Sequence, residues 1–78
     1  LVASSSAMDL RQLTHLMAVA EHGSFSAAAR SLHTVQSNVS TDVARLEKEL
    51  DAVLMDRRSM LPTSEGKAVI ERAQRIRS

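Results

Sequence analysis

Cysteine is missing from the 78-residue sequence, and Phe25 is its only aromatic residue. The absence of cysteine excludes a disulfide framework and a metal site built on thiolates. With one aromatic, the core has to be built from Leu, Val, Ile, Met and Ala, which suits helices better than a β-sandwich. The length is enough for one small domain, which buries roughly 60% of its unfolded surface.

Long apolar runs and catalytic constellations are missing as well. No run approaches the ~20 apolar residues of a membrane span, so we expect no membrane partner. The three histidines are scattered, no pair of them has metal-ligand spacing, and no Gly-rich phosphate loop is present. Ser24 and Ser26 have no evident general base. We therefore expect no enzymatic activity, no metal and no cofactor in this chain.

Charge is distributed unevenly around a net value of +1. Residues 1–54 carry four basic and six acidic side chains, whereas residues 55–78 carry six basic and three acidic ones. This asymmetry is a mild indication of a polyanionic partner. Two solvated faces explain it about equally well.

Helical periodicity of apolar residues covers most of the chain. Ser24 and Thr63 are suited to cap the second and fourth helices, and Asp9 the first. The small, uncharged residues 1–7 precede Met8 and are interpreted as a disordered or appended tail. The predicted helices cover residues 10–22, 25–32, 36–50 and 64–78.

Two short apolar runs around a polar tip predict a β-hairpin over residues 54–62. The second and third helices are joined by a turn of about three residues, which matches the spacing of a helix-turn-helix motif over residues 25–44. The predicted fold is mainly α, a winged helix-turn-helix with a three-helix core and a short hairpin wing. It occupies residues 8–65 and leads into a linker or dimerisation helix over residues 64–78.

The third helix carries the clearest functional pattern. Its stripe of Val39, Val43 and Leu46 is suited to the core, and its opposite face is short, polar and nearly uncharged near the N-terminus. Such a face lets the backbone lie deep in the DNA major groove, where amides and hydroxyls reach base edges. Two arginines at the hairpin tip could enter a minor groove or bind phosphates. The predicted DNA-binding residues are Arg30, Thr34, Gln36, Ser37, Asn38, Ser40, Thr41, Arg45, Arg57 and Arg58.

The segments "MDLRQLTHLMAVAEHGSFSAAARSLHTVQSNVSTDVARLEKEL" and "LPTSEG" resemble the N-terminal DNA-binding domain of LysR-type transcriptional regulators. The resemblance covers residues 8–78. It implies a cytoplasmic, nucleoid-associated bacterial regulator that binds a pseudo-palindromic operator. A small-molecule inducer would bind a C-terminal domain that these 78 residues do not include. The resemblance assigns contacts with DNA to Gln36, Ser37, Ser40 and Thr41, and to Arg57 or Arg58 in the wing.

Three departures from the family pattern concern the same surface. Val35 stands where Ser or Thr often caps the third helix, which leaves Thr34 as the candidate cap. Thr41 replaces a frequent Arg, which removes a strong phosphate or guanine contact, and the wing is shorter than is typical.

Dimerisation is expected through the last helix, since its apolar residues exceed what one small domain can cover. The resemblance implies a homodimer joined through this helix, or a tetramer in the full-length protein. The alternative is a winged-helix protein-interaction module without sequence-specific DNA binding, which the acids Asp42, Glu47 and Glu49 on the third helix would suit. The predicted dimerisation residues are Val69, Ile70, Ala73 and Ile76.

Overall fold

The structure, a computed structural model, describes residues 10–77, with side chains over residues 10–75. The predicted tail of residues 1–7 and the predicted cap Asp9 lie outside this range. Within it, four helices and one antiparallel hairpin follow one another in the order that the sequence predicts. The elements are α1 (Leu10–His22), α2 (Phe25–Ser31), α3 (Gln36–Leu50), β1 (Met55–Asp56), β2 (Leu61–Pro62) and α4 (Ser64–Arg77).

Hydroxyl side chains begin two of the helices, as predicted. Ser24 is extended and its Oγ accepts a hydrogen bond from the backbone N–H of Ala27 at 3.0 Å. Thr63 Oγ1 accepts from the N–H of Gly66 at 3.0 Å and donates to the carbonyl of Val53 at 2.6 Å. Each cap satisfies a backbone N–H that has no partner within its own helix.

The start of α3 differs from the expectation that Thr34 caps it. Val35 occupies the cap position, and no side chain caps the helix there. The Thr34 hydroxyl instead accepts a hydrogen bond from Asn38 Nδ2 at 2.8 Å. At the other end, Asp51 has a φ of 53° and terminates the helix in the left-handed region, which Asp tolerates better than most residues.

One hydrophobic core lies between α1, α2 and α3, and α4 packs against α1 at its edge. Ala28 and Ala29 are both buried, so these small side chains let α2 pack closely against its neighbours. The core includes Leu13, Leu16, Ala18, Val19, Ala28, Ala29, Val39, Val43, Leu46, Leu54, Met55 and Ala73.

The connection between α2 and α3 is a tight turn fixed by backbone hydrogen bonds. The N–H of Thr34 donates to the carbonyl of Ala29 at 2.9 Å. His33 has a φ of 58°, in the left-handed region where His is among the enriched residues. The turn therefore gives His33 a backbone role and sets the direction in which α3 leaves α2.

The wing is a two-stranded hairpin in which Met55 pairs with Pro62 and Asp56 with Leu61. Its base rests directly on the first turn of α4. A Cβ at Gly66 would lie 2.9 Å from the carbonyl carbon of Leu54 and closer still to its oxygen. Only glycine leaves room for this approach.

Candidate nucleic-acid interface

The two sides of α3 differ sharply in burial. Val39, Val43 and Leu46 have no exposed surface, whereas most of the polar residues on the opposite side are exposed. No other described segment covers these polar side chains, so a ligand has access to them. The exposed residues are Gln36, Ser37, Asn38, Thr41, Ala44, Arg45 and Lys48, and Ser40 is half-buried.

Local hydrogen bonds orient part of this surface. Asn38 donates from its amide to Thr34, which fixes the plane of the amide at the first turn of the helix. Ser40 Oγ donates to the backbone carbonyl of Ser37 at 3.3 Å, so its proton points back along the helix. Ser37 and Thr41 therefore present their side chains outward more directly than Ser40 does.

A groove of about 510 Å³ runs beside this face, between α1 and α3. Its floor contains a buried acid and a buried histidine, with Asp42 Oδ2 lying 2.7 Å from His15 Nδ1. Arg11 reaches the same oxygen with its Nε at 3.3 Å, and 68% of the Arg11 side chain remains exposed. The groove is lined by Arg11, His15, Thr34, Ser37, Asn38, Thr41, Asp42 and Arg45.

Neither partner of this buried pair was predicted from the sequence. In the sequence, His15 is one of three scattered histidines, and Asp42 is one of three acids suited to a protein partner. One signal was available, because Asp42 lies three residues after Val39 and four before Leu46, on the same side of the helix as the core stripe. A charged residue at such a position requires a partner.

Glu47 organises the opposite end of α3 and the wing. Its Oε2 accepts hydrogen bonds from the backbone N–H groups of Leu54 at 2.8 Å and Met55 at 3.1 Å. Arg57 donates to both carboxylate oxygens, at 3.0 Å from Nη1 and 2.9 Å from Nη2. This acid therefore ties the first strand of the wing to α3.

The pKa of Glu47 reflects these competing influences. Burial raises the pKa, but the hydrogen bonds from Arg57 and from two backbone N–H groups lower it, as does the charge of Arg57. The net pKa lies below its ordinary value. The carboxylate form is therefore the one that stabilises the wing.

The two wing arginines have different surroundings. Arg57 also donates to the carbonyl of Met55 at 2.7 Å, and its guanidinium lies 5.3 Å from the centroid of the Phe25 ring. Arg58 is exposed, and its backbone N–H is fixed by Asp56 Oδ1 at 2.8 Å. DNA contact by either arginine stays a prediction, but the geometry presents Arg58 outward and gives Arg57 several partners within its own chain.

The remaining predicted residues lie on two further surfaces. Arg30 is exposed in the last turn of α2. On α4, Val69 and Ile70 are half-buried against the core, and Ala73 is 3% exposed inside it. Ala73 is thus packed within its own chain, and the side chain of Ile76 lies outside the described residues. The predicted dimer contact through this helix stays a prediction.

Two further properties of the described residues bear on other classes of function. No group of three or more His, Asp or Glu side chains between residues 10 and 75 is arranged to bind a metal ion. None of the helices in the described range is long and apolar enough to cross a membrane.

Comparison with known proteins gives a consistent set of matches. Residues 10–67 match the family model of bacterial regulatory helix-turn-helix proteins of the lysR family. One relative is an uncharacterized HTH-type transcriptional regulator in the ibpB-leuC intergenic region of Azotobacter vinelandii. It is 47% identical over 73 residues, which are 91% of this chain and 51% of that protein. The chain thus spans about half the length of this relative.

Two solved structures of complexes with DNA have the same fold. Full-length CbnR complexed with its target DNA superposes with a TM-score of 0.82 at 40% identity, over 88% of this chain and 23% of that one. The BenM DNA-binding domain on catB site 1 DNA gives a TM-score of 0.83 at 35% identity, over 88% of this chain and 76% of that one.

Proposed function

Because the chain belongs to the lysR family of bacterial regulatory helix-turn-helix proteins, we propose that it binds double-stranded DNA sequence-specifically through α3. The observation that carries the proposal is the exposed face of α3, which is short, polar and uncovered by any described segment. A helix with such a face fits the major groove, where each base pair presents a distinct set of donors and acceptors. The bound DNA in the CbnR and BenM complexes supports the same partner.

The contacts divide into two kinds. Gln36, Ser37 and Thr41 stand at the outer side of the first turns and are assigned to base edges. Arg30 and Arg45 are exposed and are assigned to phosphates, which position the protein without reading sequence. Arg58 extends the contact to a flanking minor groove or its phosphates.

A second proposal concerns assembly. As a homodimer, the protein would place two copies of α3 about one helical turn, ~34 Å, apart on a pseudo-palindromic operator. The half-buried Val69 and Ile70 leave apolar surface on α4 that a second copy can cover. In the complete regulator, a further domain would bind the small-molecule inducer.

The protein-interaction alternative loses much of its support. It depended on three acids of α3, and two of them contact partners in their own chain. Asp42 contacts His15 and Arg11, and Glu47 pairs with Arg57. Only Glu49 remains as an exposed acid from that set.

Selection from a random duplex library, followed by fluorescence anisotropy on the selected site, tests the proposal. We expect one enriched site and a steep loss of affinity as salt rises. Thr41→Ala or Ser37→Ala should change the preference at particular base pairs by about 1–3 kcal/mol. Arg58→Ala should weaken binding to all duplexes alike. Equal affinity for every duplex, or salt-insensitive binding, would contradict the proposal.

A further inference from the structure

The DNA-facing surface of α3 has few positive charges. From Gln36 to Ala44 every exposed side chain is uncharged, and Arg45 is the first cation. Phosphate contacts nevertheless supply a large share of the affinity of most DNA-binding proteins. A further cation near the first two turns of the helix would add to the phosphate contacts assigned to Arg30 and Arg45.

Arg11 lies in that position. It belongs to α1, yet it lines the same groove as Thr34, Ser37 and Thr41. Its side chain is 68% exposed, so the guanidinium reaches solvent at the rim while its Nε contacts the floor.

Asp42 explains why Arg11 stays there. The acid is 6% exposed, and its Oδ2 contacts both His15 at 2.7 Å and Arg11 at 3.3 Å. Burying a carboxylate is costly unless it is paired. We therefore expect the buried Asp42 to have a function at this place. Fixing the Nε of an exposed arginine reduces the conformational freedom that it would lose on binding a phosphate.

We propose that Arg11 binds a phosphate of the DNA strand that passes along the groove between α1 and α3, and that Asp42 is its positioning residue. The inference rests on the proposed DNA binding. Arg11 supplies the charge that the first turns of α3 lack, whereas Asp42 contacts Arg11 and does not contact DNA. The buried His15 contacts the same carboxylate, with its Nδ1 at 2.7 Å from Asp42 Oδ2.

The main test compares Arg11→Ala with Arg72→Ala, which removes an exposed arginine from α4. Both variants lose one positive charge, and both keep a good helix former at the position. We expect Arg11→Ala to bind the selected duplex about tenfold more weakly and every other duplex weaker by the same factor. Its loss of affinity between 50 and 200 mM salt should be about three- to fourfold smaller than that of the wild type, as for one lost phosphate contact.

The variant Asp42→Asn tests the positioning role, because the loss of a negative charge and the loss of positioning predict opposite changes in DNA affinity. Removing an acid near DNA by Asp42→Asn should strengthen binding if only the net charge matters. We expect weaker binding by several-fold instead, because Arg11 is no longer fixed. In the Arg11→Ala background, Asp42→Asn should have no weakening effect. Thermal unfolding of each variant shows whether the domain remains folded, and Arg11→Lys, which keeps the charge but not the fork, should recover only part of the affinity.

The outcomes separate the two proposals. If the wild type shows neither site preference nor salt dependence, the proposed function itself fails. If the wild type binds its site but Arg11→Ala and Arg72→Ala agree within about twofold and share one salt dependence, the phosphate contact is overturned. A loss at Arg11 that varies from duplex to duplex would also overturn it, since a phosphate carries no sequence.

Discussion

Two acids on α3, five residues apart, each hold an arginine from another element, but they leave those arginines in different states. Glu47 binds Arg57 through both carboxylate oxygens, and Arg57 further contacts the Met55 carbonyl and faces the Phe25 ring. The contact between Asp42 and Arg11 is longer, with Arg11 Nε lying 3.3 Å from Asp42 Oδ2. The exposed fraction of the arginine side chain is 45% at the wing and 68% at the groove.

The two arginines therefore differ in role. Arg57 is a structural arginine, whereas Arg11 keeps most of its side chain exposed to solvent. At the wing, a bidentate pair with additional backbone contacts uses the guanidinium to join two elements. At the groove, the contact with Asp42 fixes the Nε of Arg11 and leaves much of the side chain in solvent. The acid that binds more donors should therefore contribute more to folding, and the acid that binds fewer should contribute more to recognition.

Glu47→Gln should have the largest effect on stability. It removes the charged bidentate pair and weakens the hydrogen bonds that the N–H groups of Leu54 and Met55 donate to this side chain. We expect the free energy of unfolding to fall by about 2–3 kcal/mol. For a domain of this size, each kcal/mol corresponds to about 4–8 °C in Tm. Thermal unfolding followed by circular dichroism measures the shift. Glu49→Gln, an exposed acid two residues later, is the matched control and should change stability by less than about 0.5 kcal/mol.

Arg57→Ala should have the next largest effect, about 1–2 kcal/mol, because it removes several hydrogen bonds but leaves the backbone donors of Glu47 in place. Arg58→Ala removes the adjacent charge without these contacts and should stay within about 0.5 kcal/mol of the wild type. Urea unfolding of the two variants compares them directly. Equal losses of stability in the two variants would contradict the assignment of a structural role to Arg57 and not to Arg58.

Acid should weaken the wing contact selectively. Because the pKa of Glu47 is lower in the folded state, its stabilising effect is fully present above the ordinary value of 4.5 and is lost as pH falls through the lowered pKa. The stability difference between wild type and Glu47→Gln should therefore be constant near neutral pH and shrink below pH 4.5. Urea unfolding at a series of pH values measures this difference. A difference that stays constant into acid would contradict the assignment.

Much of the fold could be predicted because its signals are local. The stripe of α3 and the hydroxyl caps at Ser24 and Thr63 each depend on residues within a few positions. The helix-turn-helix spacing follows from the same signals. These predictions agree with the structure since no distant residue has to be known to make them.

The acid–arginine contacts could not be predicted in the same way. Arg11 and Asp42 are far apart in sequence and meet only because α1 crosses α3. Glu47 and Arg57 meet only once the wing has folded back on the helix. Helical spacing places Asp42 on the same side of α3 as the core stripe, but it does not reveal which residues Asp42 contacts there. The outer face of α3 was predictable, and the contacts that support it at both ends were not.

The smallest predicted effect concerns the independence of the two acids. Five residues correspond to about 7.5 Å of rise and about 140° of rotation along a helix, so Asp42 and Glu47 point to different sides. Because the two have no partner in common, the stability losses of Asp42→Asn and Glu47→Gln should add within about 0.5 kcal/mol in the double variant. The pair Glu47→Gln and Arg57→Ala is the positive control, since these residues contact each other and should be clearly non-additive. Strong coupling between Asp42 and Glu47, measured by urea unfolding of the four proteins in the cycle, would mean that the groove and the wing are one cooperative unit, and that neither acid can be assigned to folding or recognition alone.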